Sequence, residues 1–556
     1  MSHSVSPSDH KDHPVLHVHG TWETVFQGEP RAALEQLLPG YIAPRRWFGS
    51  KARTIETAQL IEIIPITSLS YLTLVKISFT AGEPETYVLP LAFVAGEQAE
   101  VLRRERPMSV IAVLRTPEAE GVLYDAVWNP RFDTILLEMI GEGKQFTGSN
   151  GDVVASATSV FPRLRGDASQ TLHPHVLGVE QSNTNMRYGE HLLLKLYRRL
   201  EAGVNPDLEI GQFLTERVAF EHIPPVAGAI EYRQRQDPTT GEPITLAILQ
   251  GFVRNQGDAW YYTLDGLREY FTRMRSVEYA PTAADLPGES LLELIKRPLP
   301  AQTEATIGAY LQSARLLGQR TAELHVALAS DATDPAFAPE RFTIAFQRSL
   351  HKSMHSLTAR IMQLLWGRFD SLPESARPDA RRVLDREPEI ASRFDTLLGP
   401  TFSALRTRIH GDYHLGQVLY TGSDFMIIDF EGEPARPLAE RRQKRSALQD
   451  VAGMLRSFHY AAYAAFFEQV TGGAQPSDVE TFTQYWHRWV SVAYLQSYLK
   501  IARSAAFLPQ SDAELKTLLD AYLLEKAVYE LGYELNNRPD WVKIPLQGIL
   551  QTLQAV

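Results

Sequence analysis

The hydrophobic pattern changes period once along the chain. Before about Gly257, apolar residues run in short blocks of β-branched and aromatic side chains; after it they recur every three to four residues over long stretches. A helix-like opening, PRAALEQLLPGYI, precedes TAQLIEIIPI, YLTLVKISFT and ETYVLPLAF, three strand blocks of a small α+β unit. SVIAVLR and GVLYDAVW continue as strands, and NPRFDTILLEMIGEG predicts a short helix closed by glycine. HVLGVEQSNTNMRYGEHLLLKLYRR has the shape of strand, polar turn, strand. NPDLEIGQFLTE predicts a helix with Asn205 or Asp207 as its cap, and ITLAILQGFV a buried strand.

The second half reads as long helices, among them TEATIGAYLQSARLLGQRTAELHVALA, SALQDVAGMLRSFHYAAYAAFFEQV and DAELKTLLDAYLLEKAVYELGYEL. One β-rich island, RIHGDYHLGQVLYTGSDFMIIDFEGEP, interrupts them. These textures divide the chain into a disordered histidine-rich tail (1–19), the α+β unit (20–95), an intermediate β-rich subdomain (96–175), a small lobe (176–256) and a helical large lobe (257–556) carrying the hairpin 408–434. The arrangement suggests a two-lobed enzyme with its chemistry on the hairpin.

Composition narrows the classes. With 44% hydrophobic and 22% charged residues the chain is globular rather than disordered. A net charge of −11 speaks against nucleic acid as partner, because phosphate backbones are bound by basic surfaces. The absence of cysteine excludes disulfides, thiolate metal sites and cysteine nucleophiles, and fits a cytoplasmic protein. No apolar run of about 18 residues predicts a membrane span, and MSHSVSPSDHKDHPVLHVHG lacks the apolar core of a signal peptide. Its histidines read as a mobile polar tail.

The island carries the candidate chemistry. Asp412 lies in His410-Gly411-Asp412, Gln417 five residues on, and Asp429 starts Asp-Phe-Glu at the end of the second strand block. Phosphoryl transfer needs such a set: one carboxylate to accept a hydroxyl proton, another carboxylate and an amide oxygen to hold Mg²⁺. Asp412 is the expected base, and Gln417 and Asp429 the expected metal ligands. Upstream, Lys195 in HLLLKLY is placed to reach the phosphates of ATP, with Glu209 as its helix partner. The turn between the strands has neither GxGxxG nor a Walker motif, so Ser182, Asn183 and Thr184 are the candidate phosphate contacts. Backbone groups around Gln250 and Phe252 are expected to meet adenine at the crossing between lobes.

HGDYHLGQVL, MIIDFEGEPARPLAERR and LQDVAGMLRSFHYAA resemble the maltokinase family, which includes the kinase part of fusions with trehalose synthase. RRWFGSKAR, EQSNTN, LLLKLYRRLEAGVNPDLEIGQFLTE, VRNQGDAWYYTLD and GQRTAELHVALA extend the likeness over nearly the whole chain after the tail. The resemblance implies an α+β, two-lobed protein-kinase-like fold with an extra N-terminal cap domain, and ATP-dependent phosphorylation of maltose at its anomeric hydroxyl. It implies a place in α-glucan and trehalose metabolism, with trehalose synthase as a partner. This chain has Tyr413 and Gln449 where the family commonly has Leu and Arg.

His410, Glu431, Glu433, Arg442, Arg456 and Tyr460 are the candidate sugar contacts. Asp450 is expected to cap its helix or bind the catalytic loop, and His414 and His325 to be structural. RRWFGSKAR reads as cap-domain packing, and the aromatic stripe of TQYWHRWVSVAYLQSYL as core. Three alternatives stay open: a same-fold kinase for another sugar or an aminoglycoside, a non-catalytic kinase-like partner of trehalose synthase, and a glycan-binding protein.

Overall fold

The computed structural model describes residues 13–178, 183–235, 242–275, 281–399 and 401–554. The chain forms two compact units: Met1–Glu216 with Pro225–Phe252, and Arg217–Pro224 with Val253–Val556.

The first unit holds two seven-stranded sheets. One is built from β1 (Val15–His17), β2 (Ile55–Thr67), β3 (Ser70–Phe79), β4 (Glu85–Ala95), β5 (Val110–Arg115) and β6 (Glu120–Asp125) in the order β1-β5-β6-β4-β3-β2. The other uses β7 (Gln145–Thr147), β8 (Gly151–Ala157), β9 (Pro174–Val176), β10 (Asn183–Tyr188), β11 (Leu192–Tyr197), β13 (Val226–Gln234) and β14 (Ile244–Gly251), ordered β7-β8-β13-β14-β11-β10-β9. The seventh strand of the first sheet is β12 (Arg199–Leu200), which follows β11 in the chain and pairs with β4. β2 alternates exposed and buried residues along Ala58, Leu60, Glu62, Ile64 and Ile66, the period of a half-buried strand.

Two buried polar links tie the sheets together. Glu62 of β2 accepts from the N–H groups of Ser149 and Asn150, each at 2.7 Å, and from the Tyr232 hydroxyl of β13 at 2.7 Å. Arg198 donates to Asp125 at 2.8 Å, with both side chains almost fully buried. A buried ion pair of this kind is costly to break from one side, at about 3–5 kcal/mol.

Two expected boundaries are corrected. The tail expected over 1–19 contains β1, which pairs in parallel with β5 through Val15, Leu16 and His17. Leu16 is buried there, so three residues suffice to extend the sheet. The intermediate subdomain expected over 96–175 is divided: β5 and β6 belong to the first sheet, β7 and β8 to the second. Hydrophobic texture marks strands but not the sheet they join. RRWFGSKAR does pack inside the unit. Trp47 and Phe48 are buried, the Arg45 guanidinium lies 3.9 Å from the Tyr41 ring centre, and Lys51 donates to the Ala43 carbonyl.

The second unit is helical. The helix Pro476–Ala502 puts Trp486, Tyr494 and Tyr498 in its core, as the aromatic stripe predicted. The β elements here are the pair β15 (Glu340–Arg341) and β16 (Leu405–Arg406) and the hairpin β17 (Val418–Tyr420) and β18 (Phe425–Ile427). Val418, Phe425 and Ile427 are buried, each worth about 1.5–3 kcal/mol to the hairpin's docking. Tyr420 stacks on Tyr262 at 4.0 Å, and Arg320 grips Asp424 with two hydrogen bonds of 2.9 and 2.7 Å. The excursion Arg217–Pro224 is sewn to the same hairpin, where Ile427 N–H donates to the His222 carbonyl at 2.8 Å. Among the described residues, no helix is long and apolar enough to cross a membrane.

Candidate active site

The loop before β17 is held from below by one carboxylate. Asp450, on the helix Leu448–Thr471, accepts from the N–H groups of His410 at 2.7 Å and Gly411 at 2.9 Å. His325 Nε2 lies 3.2 Å from the same carboxylate, and the Tyr498 hydroxyl lies 3.0 Å from His325 Nδ1. Burial pushes the Asp450 carboxyl up, but the His325 hydrogen bond, the charges of His325 and His410, and the Gly411 N–H outweigh it. Its pKa lies below the ordinary carboxylate value. Asp450 therefore binds the loop before β17; the residue at the helix N-cap position is Ala447.

His410 is almost fully buried, and this corrects its expected place on substrate. Its Nε2–H donates to the Ile428 carbonyl at 2.9 Å, and its Nδ1 accepts from the Asp412 N–H at 3.4 Å. The ring thus couples the Asp412 backbone to the strand end before Asp429. His414 takes a structural role, accepting the Gly416 N–H on Nδ1 at 3.0 Å, with Nε2 3.8 Å from Asp412.

Gln417 and Asp429 meet at the mouth of the hairpin. Gln417 Nε2 donates to Asp429 Oδ2 at 2.9 Å, and Ile428 N–H donates to the Gln417 carbonyl at 3.0 Å. Asp429 adopts φ +69°, an uncommon left-handed conformation for a residue with a side chain. Such strain persists only where the surroundings over-determine it, and it concentrates at functional sites. Gly411 (φ +85°) and Gly432 (φ +71°) sit back to back: a Cβ on Gly411 would lie 3.4 Å from the Gly432 Cα. Two glycines thereby let the Asp412 and Asp429 loops approach closely.

A third glycine sets the helix against this loop. A Cβ on Gly453 would fall 2.5 Å from the carbonyl oxygen of Tyr413, the residue after Asp412. That obstacle is backbone, which cannot swing aside. Gly453→Ala should cost about 1–3 kcal/mol in denaturant unfolding, the usual overpacking range. It should also lower the transfer rate, and unchanged stability and rate would remove this close contact from the account.

The helix Asp512–Asn537 supplies residues that the spacing of motifs did not reveal. Lys526 Nζ lies 3.8 Å from Asp412 Oδ1. Burial would lower the Lys526 pKa, but Asp412, Glu530, Glu433 and Glu525 together raise it, so it stays a cation. Tyr529 is hydrogen-bonded to Glu433, and burial and Glu433 both push its hydroxyl pKa up. The only sequence signal for this face was polar residues within an apolar helical stripe.

Arg456 and Tyr460 are corrected as sugar contacts. Arg456 is buried and gives Glu530 two hydrogen bonds of 2.9 and 2.7 Å. Tyr460 is buried too, its ring near-parallel to Trp541. Glu431 and Glu433 are half-buried in the loop after Asp429, and Arg442 follows the short helix Leu438–Arg441 as its C-cap.

The first unit places Lys195 mid-strand on β11, paired with Asn185 of β10 and Ile248 of β14. Its Nζ lies 2.9 Å from Asp207 Oδ2, and the Tyr197 hydroxyl donates to the same oxygen at 2.8 Å. Asp207, read from sequence as a possible cap, is thus a carboxylate set against Lys195; Asn205 does the capping. Glu209 stands half-buried one residue beyond Leu208 on the helix Pro206–Gln212.

Of five further expected nucleotide contacts, four are engaged within the first unit. Ser182 lies outside the described residues. Asn183 and Thr184 are buried strand residues of β10 rather than turn, and the Thr184 hydroxyl accepts from Arg198 Nε at 2.8 Å. Gln250 sits inside the ladder, opposite Leu193 and Val226, and the Phe252 N–H donates to the His191 carbonyl at 2.9 Å. Their backbone donors are spent within the sheet, because β14 is a central strand.

Residues 41–128 match the model of the maltokinase N-terminal cap domain. A glucosamine kinase of Streptacidiphilus jiangxiensis is 23% identical over 370 residues, 66% of this chain and 70% of that protein. A glucosamine kinase of Mycolicibacterium smegmatis is 26% identical over 245 residues, 44% of this chain and 54% of that one. Among solved structures, a glucosamine kinase in complex with glucosamine, ADP and inorganic phosphate superposes with a TM-score of 0.60 at 17% identity, covering 92% of this chain and 98% of that one. The chain therefore combines a maltokinase-type N-terminal cap domain with an α+β, two-lobed protein-kinase-like fold, the fold of solved glucosamine kinases.

Proposed function

We propose that this chain is an ATP-dependent sugar kinase that phosphorylates maltose at its anomeric hydroxyl, giving maltose 1-phosphate. One observation carries the reaction class: Asp412 follows His410 and Gly411, whose N–H groups Asp450 holds, and Gln417 and Asp429 pair at the hairpin that comes next, the order and residue types of a phosphoryl-transfer centre. Asp412 accepts the proton of the sugar O1 as that oxygen bonds to the γ-phosphorus, and the bond to the β-phosphate oxygen breaks to leave ADP. Lys195, steered by Asp207, and Glu209 serve the nucleotide side. The Gln417 side-chain oxygen and the Asp429 carboxylate are hard donors that fit Mg²⁺ and would hold it. Bound there, the ion would neutralise negative charge on the nucleotide phosphates.

The choice of sugar rests on a groove of about 710 Å³ in the second unit. Tyr529, Tyr533, Asn536, Asn537 and Arg360 line it, with Ala435 at its edge, and no carboxylate is among its lining residues. Aromatic faces and amides suit neutral hydroxyls, whereas an amine calls for a carboxylate. Glu433, hydrogen-bonded to the lining Tyr529, remains a candidate contact, as do Glu431 and Arg442. The reading also places trehalose synthase upstream as a source of maltose.

The second reading is an amino-sugar kinase, favoured by the relatives' names and by Glu433 near the groove. A transfer assay with ATP, Mg²⁺ and maltose, glucose, trehalose, glucosamine or kanamycin separates the two. Phosphorus NMR should show an anomeric phosphate with maltose. Transfer to glucosamine alone would replace maltose by the amino sugar. Silence across the panel with ATP still bound would point to a non-catalytic partner protein.

A further inference from the structure

Away from the hairpin, two histidines and an aspartate converge on one point. His351 and His355 lie four residues apart on the helix Ile344–Arg368, so both rings leave the same face. Asp395 ends the helix Glu387–Asp395. His351 Nε2 is 2.9 Å and His355 Nε2 3.1 Å from the same atom, Asp395 Oδ1. The two imidazole rings are 4.2 Å apart.

We infer that His351, His355 and Asp395 form a binding site for a Zn²⁺-class divalent cation. Three ligand atoms from two helices lie within 4.8 Å of one another, and the two imidazole–carboxylate distances come near the roughly 3.3 Å between ligand atoms of a tetrahedral ion with metal–ligand bonds of about 2.0–2.1 Å. Two imidazoles and one carboxylate are borderline donors that suit Zn²⁺ and its transition-metal neighbours rather than Mg²⁺ or Ca²⁺. The side chains are 20%, 33% and 58% exposed, which leaves a fourth position for water and a path for entry. A bound ion would cross-link the end of one helix to the middle of another, independently of the transfer chemistry.

The full chain carrying His3→Gln, His10→Gln, His13→Gln, His17→Gln and His19→Gln removes competition from the N-terminal histidines. Titrated with Zn²⁺ by calorimetry, this background should bind close to one equivalent, and with Co²⁺ it should show the intense visible bands of a four-coordinate ion. Adding His355→Gln should weaken binding at least tenfold and remove those bands, with melting in EDTA unchanged. Asp395→Asn, which keeps both rings, should weaken binding as well and is the variant to read if His355→Gln fails to fold. No stoichiometric binding by the background, or equal binding after either substitution, would overturn the site.

Discussion

Asp412→Asn should keep ATP bound while transfer falls by about 10²–10⁴-fold, the usual contribution of a positioned general base. The substitution is nearly isosteric. The loop is fixed from elsewhere, by the Asp450 carboxylate on His410 and Gly411 and by the His410 ring on the Ile428 carbonyl. Geometry should therefore survive, and what disappears is the proton acceptor and the negative charge facing Lys526 at 3.8 Å. Calorimetric titration with ATP should give an affinity within a few-fold of the parent, since the nucleotide role is assigned to Lys195. Turnover near the parent's would remove Asp412 as base. Loss of ATP binding together with transfer would mean that the substitution disturbs more than proton transfer.

Part of the candidate site was readable because it is local: Gln417 and Asp429 flank one hairpin, and its pairing brings their side chains within 2.9 Å. The two-texture division was readable too, since strand blocks and helical periodicity are properties of neighbouring residues. What escaped depends on contacts distant in sequence. Asp207 read as a helix cap, and only the rotation of its helix against β11 sets its carboxylate beside Lys195. Arg456 resembled a surface sugar contact until Glu530, 74 residues away, was brought to it. Tyr460 and Thr184 were hidden for the same reason, as burial follows from what packs over a residue. Division of the strands between two sheets was equally invisible, because β5 and β7 share a texture but not a neighbour.

Asp450→Asn tests how far the loop's position depends on one buried carboxylate. In the parent, both oxygens are used: Oδ1 by the Gly411 N–H, and Oδ2 by the His410 N–H and His325. An amide offers a single acceptor oxygen, so one loop N–H would face an NH₂ group with no water to relieve it. A buried donor left unsatisfied costs about 1–3 kcal/mol, and more where charge had assisted. Denaturant unfolding should show that loss. The loss should also carry a pH signature. The folded-state pKa of Asp450 lies below its ordinary value, so its stabilisation is complete above the unfolded pKa of about 3.9. It is lost as pH falls through the folded value. The gap in stability between parent and variant should therefore be constant from neutral pH down to about 4 and close below that. Transfer should fall about 10²-fold, because displacing Asp412 by roughly 1 Å is enough for such an effect, while ATP affinity holds. A variant that keeps parental turnover, or a stability gap that widens on acidification, would show that the loop is held by its own turn glycines and not by Asp450.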